Sequence, residues 1–212
     1  MKLQLLLILV LLTNLKLLAS SRLGSSIRIV AVQGVLLGLL PLLTEESPWQ
    51  WRILLLSAGA IALKGYVFPR LLFNALTTAN VTREVQPFVG YIASLLFAMV
   101  ALGASFWLGY SLPLPQIEYS EFLVASSFFG IFTGLFIIIT RRRAISQVLG
   151  FLLIENGVFS FGVGIIGFTS LLVEIGILLD VFAAVFVMAI TVFHISRECN
   201  HVDVDKLSLL KD

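Results

Sequence analysis

The chain has 212 residues, of which 59% are hydrophobic and only 12% are charged. Its mean hydropathy of +1.05 excludes an ordinary soluble domain of this length and indicates a polytopic membrane protein. A net charge of +2 is too small to suggest a nucleic-acid partner, and a single cysteine with two histidines excludes an iron–sulfur cluster, a nickel site or a structural zinc site built within this chain.

Hydropathy along the chain predicts about seven transmembrane helices, since each apolar run approaches or exceeds the length of about 20 residues that spans a bilayer. The predicted spans are 3–20, 27–44, 51–74, 87–112, 121–140, 146–168 and 171–195. Pro69 should kink or end the third span. The first run could also be read as a cleaved signal peptide, but we expect it to be a retained helix. The predicted fold class is therefore all-α, a membrane helical bundle forming one integral membrane domain over residues 1–212.

The distribution of basic residues predicts the orientation of this bundle. With seven spans and the amino terminus outside, the outer loops carry only Lys2 and Arg52. The other side carries Arg22, Arg28, Arg70, Arg83, Arg141, Arg142, Arg143, Arg197, Lys206 and Lys211. The positive-inside rule then places the carboxyl terminus in the cytoplasm, and an even number of spans would destroy this separation.

Three ionisable residues interrupt strongly apolar runs and are the main candidates for function. They are Lys64 in "AGAIALKGYVF", Glu155 in "LLIENGVF" and Asp180 in "EIGILLDVFAAVFVMAI". A helical rise of about 1.5 Å per residue places Glu155 roughly 12 Å inside its span and Lys64 at a similar depth, so the two side chains could meet. Asp180 falls near the midplane by the same reasoning. Charges at this depth are costly and need a partner.

A buried carboxylate beside a buried amine is subject to two opposing effects. Removal from water favours the neutral forms, whereas the opposite charge favours the ionised forms, and a site under both influences can exchange protons near neutral pH. We therefore predict a proton-translocation role for Glu155, Asp180 and Lys64. Secondary candidates are Asn156, which can share a helix face with Ser160, and Glu174 and His194 near the ends of the last span. The alternative is that such groups only hold the helices in register.

Two glycine motifs are interpreted as packing features. "GVGIIG", residues 162–167, has the G-x-G-x-x-G pattern of dinucleotide sites, but it ends a membrane span and no strand precedes it. Gly130 and Gly134 form a G-x-x-x-G motif that predicts a close helix contact.

The blocks "QVLGFLLIENGVFSFG" and "LLVEIGILLDVFAAVFVM" and the ending "VDVDKLSLLKD" resemble component E of hydrogenase-4 type (group 4) membrane-bound nickel–iron hydrogenases, in the formate hydrogenlyase class. The third span, with Lys64 followed by Pro69, also resembles that family. The last third is similar, more distantly, to the K subunit of complex I and the C subunit of multisubunit sodium/proton antiporters. On this basis residues 1–140 hold five helices, 146–195 hold two helices resembling the complex I K subunit, and 196–212 form a cytoplasmic tail.

The resemblance implies a non-catalytic membrane subunit of an energy-converting, hydrogenase-type redox complex in a bacterial or archaeal cytoplasmic (inner) membrane. It also implies that Glu155 and Asp180 correspond to the membrane carboxylates of those families, with Asp180 in place of the Glu usual in complex I. These residues, with Lys64, would contribute to a lateral proton or sodium path. Two alternatives remain, a subunit of a multisubunit cation/proton antiporter without redox modules and a structural spacer subunit.

The expected partners follow from the same resemblance. They are antiporter-like membrane subunits, a complex I H-like membrane subunit, a cytoplasmic hydrogenase module and membrane lipid, and no nucleic acid. We expect no cofactor on this chain, with the nickel–iron centre and the iron–sulfur clusters in partner subunits.

Overall fold

The computed structural model describes residues 2–44, 51–78, 88–112, 120–166 and 176, and in these ranges it contains helices and no strands. The helices are α1 (Lys2–Ala19), α2 (Leu23–Gly38), α3 (Leu40–Thr44), α4 (Trp51–Ala62), α5 (Phe68–Thr78), α6 (Tyr91–Ser111), α7 (Ser120–Thr140) and α8 (Ala144–Ile166). A π-helical turn, Leu63–Val67, joins α4 to α5. The predicted span 171–195 and the tail 196–212 lie outside the described residues.

Six segments of the described chain are long and apolar enough to cross a membrane. They are Lys2–Ala19, Leu23–Leu43, Ile53–Thr77, Ile92–Ser111, Glu121–Thr140 and Ala144–Gly162. They overlap the first six predicted spans, with ends that differ by up to several residues, so the prediction of an all-α, multi-spanning membrane bundle is confirmed. The seventh span and the orientation of the termini stay predictions.

The start of α2 differs from the predicted span by four residues. The sequence predicts a span from residue 27, but α2 begins at Leu23 because the Ser26 amide donates to the Arg22 carbonyl oxygen at 3.0 Å. The Ser26 hydroxyl donates to the same oxygen at 3.2 Å. Hydropathy marks only the apolar part of a membrane helix, whereas its backbone hydrogen bonds continue into the polar margin.

Pro69 does not end the third span, because the helix widens just before it. A proline lacks an N–H donor, and its ring clashes in a regular α-helix with the carbonyl of the residue four positions earlier, here Gly65. In the π turn the Phe68 amide instead bonds the carbonyl oxygen of Leu63, five residues back. The wider turn accommodates the proline, and the chain continues as α5 to Thr78.

Several arginines that the sequence assigns to the cytoplasmic side lie at one end of the bundle, which we call the basic end. Arg141, between α7 and α8, donates from Nη2 to the carbonyl oxygen of Leu18 near the end of α1 at 3.2 Å. Arg28, near the start of α2, lies 6.0 Å from the centre of the Phe73 ring in α5, the helix that also carries Arg70. Arg28, Arg70 and Arg141 therefore lie at the same end of the bundle, and the side of the membrane that this end faces stays a prediction.

Glycines allow α7 and α8 to form the most extensive contact between helices of the described part. A Cβ added to Gly134 would lie 2.5 Å from the Gly150 carbonyl oxygen, and one added to Gly150 would lie 2.7 Å from the Gly134 carbonyl oxygen. Gly130 lies opposite Gly157, whose Cα would be 3.7 Å from an added Cβ. The close contact predicted from the G-x-x-x-G motif is confirmed.

The buried core consists of two apolar layers with a polar layer between them. The apolar layer towards the basic end includes Leu17, Leu18, Ile27, Val30, Leu72, Leu149 and Leu152. The layer at the other end includes Leu3, Leu6, Leu7, Val10, Leu37, Leu40 and Leu123. Along α1 and α2, the buried amides Asn14 and Gln33 fall between these layers. In α8, the buried Glu155 comes two residues after Leu153, the last residue of this helix in the layer towards the basic end.

The glycine contact predicts a sharp size limit at residue 134. We expect Gly134→Ala to lower the thermal unfolding temperature in detergent or nanodiscs, because overpacking a close contact typically costs about 1–3 kcal/mol. The control is Gly103→Ala in α6, where no atom lies within 4 Å of an added Cβ. Alanine there should be neutral or stabilising, by up to about 1 kcal/mol. Equal unfolding temperatures for the two variants would contradict the packing.

Candidate functional site

Lys64 and Glu155 form a buried ion pair between the π turn and α8. The Lys64 Nζ lies 2.5 Å from the Glu155 Oε1, and the side chains are 9% and 2% exposed. The structure therefore brings together the two residues that the depth argument placed at one level. Their role in translocation is a separate matter and stays a prediction.

The backbone around Lys64 explains how its side chain reaches α8. Lys64 is the second residue of the π turn. Helix α2 packs directly against this turn, since a Cβ added to Gly34 would lie 2.5 Å from the Lys64 Cβ. Only glycine leaves room for this approach. π-helical turns within α-helices are frequent at functional sites, where the wider turn redirects a side chain.

Three side chains of α8 surround the Lys64 amine. Besides Glu155, the Asn156 Oδ1 accepts a hydrogen bond from Nζ at 3.1 Å. The centre of the Phe159 ring lies 5.4 Å from Nζ, within the range of a cation–π interaction. The ammonium group thus meets a carboxylate, an amide oxygen and a ring face, each of which compensates part of the cost of removing its charge from water.

The hydrogen bonding continues from Asn156 across the bundle to α1. The Asn156 Nδ2 donates to the Gln33 Oε1 of α2 at 3.4 Å, and the Gln33 Nε2 donates to the Asn14 Oδ1 of α1 at 2.9 Å. The three amide side chains are 3%, 1% and 0% exposed respectively. We call Glu155, Lys64, Asn156, Gln33 and Asn14 the polar chain. It joins four segments of the fold within the layer between the two apolar layers.

Two small cavities lie between the polar chain and the basic end. One of about 10 Å³ is lined by Lys64, Asn156 and apolar residues of α2, α5 and α8. The other, about 20 Å³, lies one turn further along α2 and α8 and is lined by Arg141 and by serines. Those serines are Ser20, Ser21, Ser26 and Ser146. Each cavity has room for about one water molecule.

The predicted residues divide into those that the structure brings together and those that it does not describe. Lys64, Glu155 and Asn156 meet, and Asn156 also bonds Gln33 of the neighbouring helix α2. Ser160 is buried but does not join the polar chain, and its hydroxyl has no hydrogen-bond partner in the described part of the chain. The remaining candidates lie outside the described residues and stay predictions. They are Asp180, Glu174 and His194.

Asn14 and Gln33 were not among the predicted residues of the site. Both interrupt apolar runs, in "LLTNLKLL" and "VAVQGVLL", so the sequence carries a signal for them. Neutral amides bond across membrane helices as ionisable groups do. No cluster of three or more His, Cys, Asp or Glu side chains occurs within the described ranges. The site therefore offers one carboxyl group and one amine that can gain or lose a proton, and three amides that can only donate and accept hydrogen bonds.

Comparisons with known proteins relate different parts of the chain to different proteins. The family described as NADH-ubiquinone/plastoquinone oxidoreductase chain 4L matches residues 122–212, which include Glu155 and Asn156 but not Lys64. Over 189 residues the chain is 30% identical to the uncharacterized protein Rv0085 of Mycobacterium tuberculosis. That alignment covers 88% of this chain and 85% of the relative. No solved structure matches the chain.

The ion pair predicts a non-additive effect on stability. Lys64→Met or Glu155→Leu alone should destabilise the protein by about 3–5 kcal/mol, because each leaves the other group buried without its partner. The double variant should lose clearly less than the sum, since no charge is stranded. Thermal unfolding of the four proteins in nanodiscs measures this difference. Additive losses would contradict a direct pairing of the two charges.

Proposed function

We propose that this protein is a membrane subunit of a complex I-like, proton-translocating complex. It belongs to the same family as the Mycobacterium tuberculosis protein Rv0085. Its carboxyl-terminal part, residues 122–212, matches the family of NADH-ubiquinone/plastoquinone oxidoreductase chain 4L. The single observation that carries the proposal is the buried Lys64–Glu155 ion pair, placed between apolar layers of a multi-spanning bundle. Such a pair is costly to bury, and its residues are the kind that exchange protons.

The pair can pass a proton in simple steps. A proton that reaches the Glu155 carboxylate forms an O–H bond and removes the negative charge. The Lys64 ammonium is then left without its counter-ion between two apolar layers, so the next step is the release of a proton from Nζ. Breaking one Nζ–H bond releases a proton to the next acceptor and leaves a neutral amine. Transfer of the Glu155 proton to that amine restores the original ion pair.

The position of the pair suits transfer from one side of the subunit to another. Lys64 belongs to a segment before the chain 4L-like part, and Glu155 lies within that part. A proton that moves between them crosses from one helix to another at a constant depth in the membrane. This is the geometry expected of a lateral path. We propose that Asp180 extends the path, with Asn156, Glu174 and His194 as secondary contributors.

The finer form of the proposal is a hydrogenase-type complex of the formate hydrogenlyase class. The resemblance of "QVLGFLLIENGVFSFG" and of the Lys64–Pro69 segment to component E of hydrogenase-4 supports it. The partners would be antiporter-like subunits, a complex I H-like subunit and a cytoplasmic hydrogenase module in a bacterial or archaeal inner membrane. That module would hold the nickel–iron centre and the iron–sulfur clusters, and this chain would perform no catalysis by itself.

A structural spacer is the second candidate, and one observation favours it. The polar chain joins α1, α2, the π turn and α8, which is what a purely structural network would do. A spacer needs the polar chain only for stability. A relay also needs a group at position 155 that gains and loses a proton. Replacement of that group by a neutral amide separates the two roles.

The substitution Glu155→Gln is the test. We expect the complex to assemble and redox-linked proton uptake into inverted membrane vesicles to fall by about tenfold or more, because an amide cannot accept the proton. The control is Glu121→Gln, which changes an exposed carboxylate in the first turn of α7 and should leave uptake unchanged. An assembled Glu155→Gln complex with normal uptake would exclude the relay and favour the spacer.

The partner subunits distinguish a redox complex from an antiporter without redox modules. We expect subunits containing nickel and iron–sulfur clusters to co-purify with this chain from gently solubilised membranes, as identified by mass spectrometry and metal analysis. Recovery of antiporter-like subunits with neither metal centre would contradict the hydrogenase form of the proposal.

A further inference from the structure

We infer that Gln33 and Asn14 are positioning residues that fix the orientation of the Asn156 amide and thereby favour the charged form of Lys64. Gln33 bonds Asn156, and Asn14 bonds Gln33, so both residues act on the ion pair through Asn156. The inference rests on the proposed function, because it concerns how the Lys64–Glu155 ion pair, the proposed relay, is held in its ionised form.

The lysine dictates the direction of every hydrogen bond in the polar chain. An ammonium group has three N–H donors and no acceptor, so the Asn156 atom that faces it at 3.1 Å has to be the oxygen. The Asn156 NH₂ group then faces Gln33 and requires the Gln33 oxygen, which lies 3.4 Å away. The Gln33 NH₂ group in turn requires the Asn14 oxygen, at 2.9 Å. All three amide oxygens therefore point along the chain towards Lys64.

This alignment links the charge on Lys64 to groups two helices away. A neutral amine keeps two N–H donors and can still donate to the Asn156 oxygen, but a charge-assisted hydrogen bond is roughly twice as strong as a neutral one, so this oxygen stabilises the ammonium more than the amine. The difference would be lost if the Asn156 amide turned over. That rotation would leave two oxygens facing each other between Asn156 and Gln33, unless Gln33 also turned. Two buried acceptors that face each other without a donor are destabilising, because each loses its hydrogen bond. Gln33 and Asn14 thus resist the neutral form by holding the Asn156 oxygen in place.

Burial makes this restraint effective. Asn14 and Gln33 are 0% and 1% exposed, so bulk water does not compete for their hydrogen bonds. Both lie between apolar layers, where hydrogen bonds are electrostatically stronger than in water and successive ones polarise each other. Gly34, next to Gln33, lets α2 pack against the π turn and so keeps the Gln33 amide near the Lys64–Glu155 ion pair.

The relevant equilibrium is a proton transfer within the pair. One Lys64 Nζ–H bond breaks, one Glu155 Oε1–H bond forms, and the ammonium–carboxylate pair becomes an amine and a carboxylic acid. No proton enters or leaves the protein. Infrared spectroscopy distinguishes the two forms, because a protonated carboxyl group and a carboxylate absorb at different frequencies. Subtraction of the Glu155→Gln spectrum identifies the Glu155 signal.

The experiment compares the full chain in lipid nanodiscs with its Gln33→Met variant at neutral pH. Methionine keeps the length of the side chain but offers no amide. We expect the ratio of protonated to ionised Glu155 to rise by about tenfold, because the Asn156 oxygen is then no longer held towards the ammonium and the charge-assisted hydrogen bond weakens. Ser105→Ala is the control, because Ser105 is fully buried in α6 and bonds only the Ala101 carbonyl oxygen among the hydrogen bonds described here.

A folded Gln33→Met protein with an unchanged ratio would overturn the inference, as would an equal rise in Ser105→Ala. If Gln33→Met does not fold, Asn14→Leu provides the same test, with a smaller rise expected because Gln33 and Asn156 remain paired. The measurement needs neither partner subunits nor turnover. A changed ratio together with normal proton uptake by Glu155→Gln complexes would therefore reject the proposed relay and retain the positioning role.

Discussion

The ion pair between Lys64 and Glu155 is the interaction on which the rest of the structure depends. Two charges in the membrane interior need each other and further polar contacts, because their separation from water is not fully compensated by their attraction alone. The fold supplies these contacts through Asn156, the Phe159 ring and the polar chain. The cost of burial explains why so many features of the described helices converge on one layer.

Three local features of the sequence make the pair possible. Pro69 favours a wide turn in place of a regular α-helix, and Lys64 lies in that turn. Gly34 lets α2 approach the turn, so that Gln33 of α2, which bonds Asn14 of α1, comes within hydrogen-bonding distance of Asn156. The glycine contact between α7 and α8 fixes the helix that carries Glu155. Each feature is local, but together they place charged groups from distant parts of the chain side by side.

Much of this arrangement could be predicted from the sequence because membrane spans follow from composition and length. The first six spans and the meeting of Lys64 with Glu155 both follow from counting residues at a known helical rise. The π turn could not be predicted, since a proline alone indicates a disturbed helix and not the form of the disturbance. Gln33 and Asn14 needed knowledge of which helix faces meet, and depth alone does not give this.

A map of the intact complex at a resolution that shows individual waters would reveal whether the ion pair belongs to a proton path. We expect a continuous series of polar side chains or waters that leads from the Lys64–Glu155 pair to a titratable group of an adjoining subunit. Apolar side chains or lipid that enclose the pair on every side, with no such series, would contradict it.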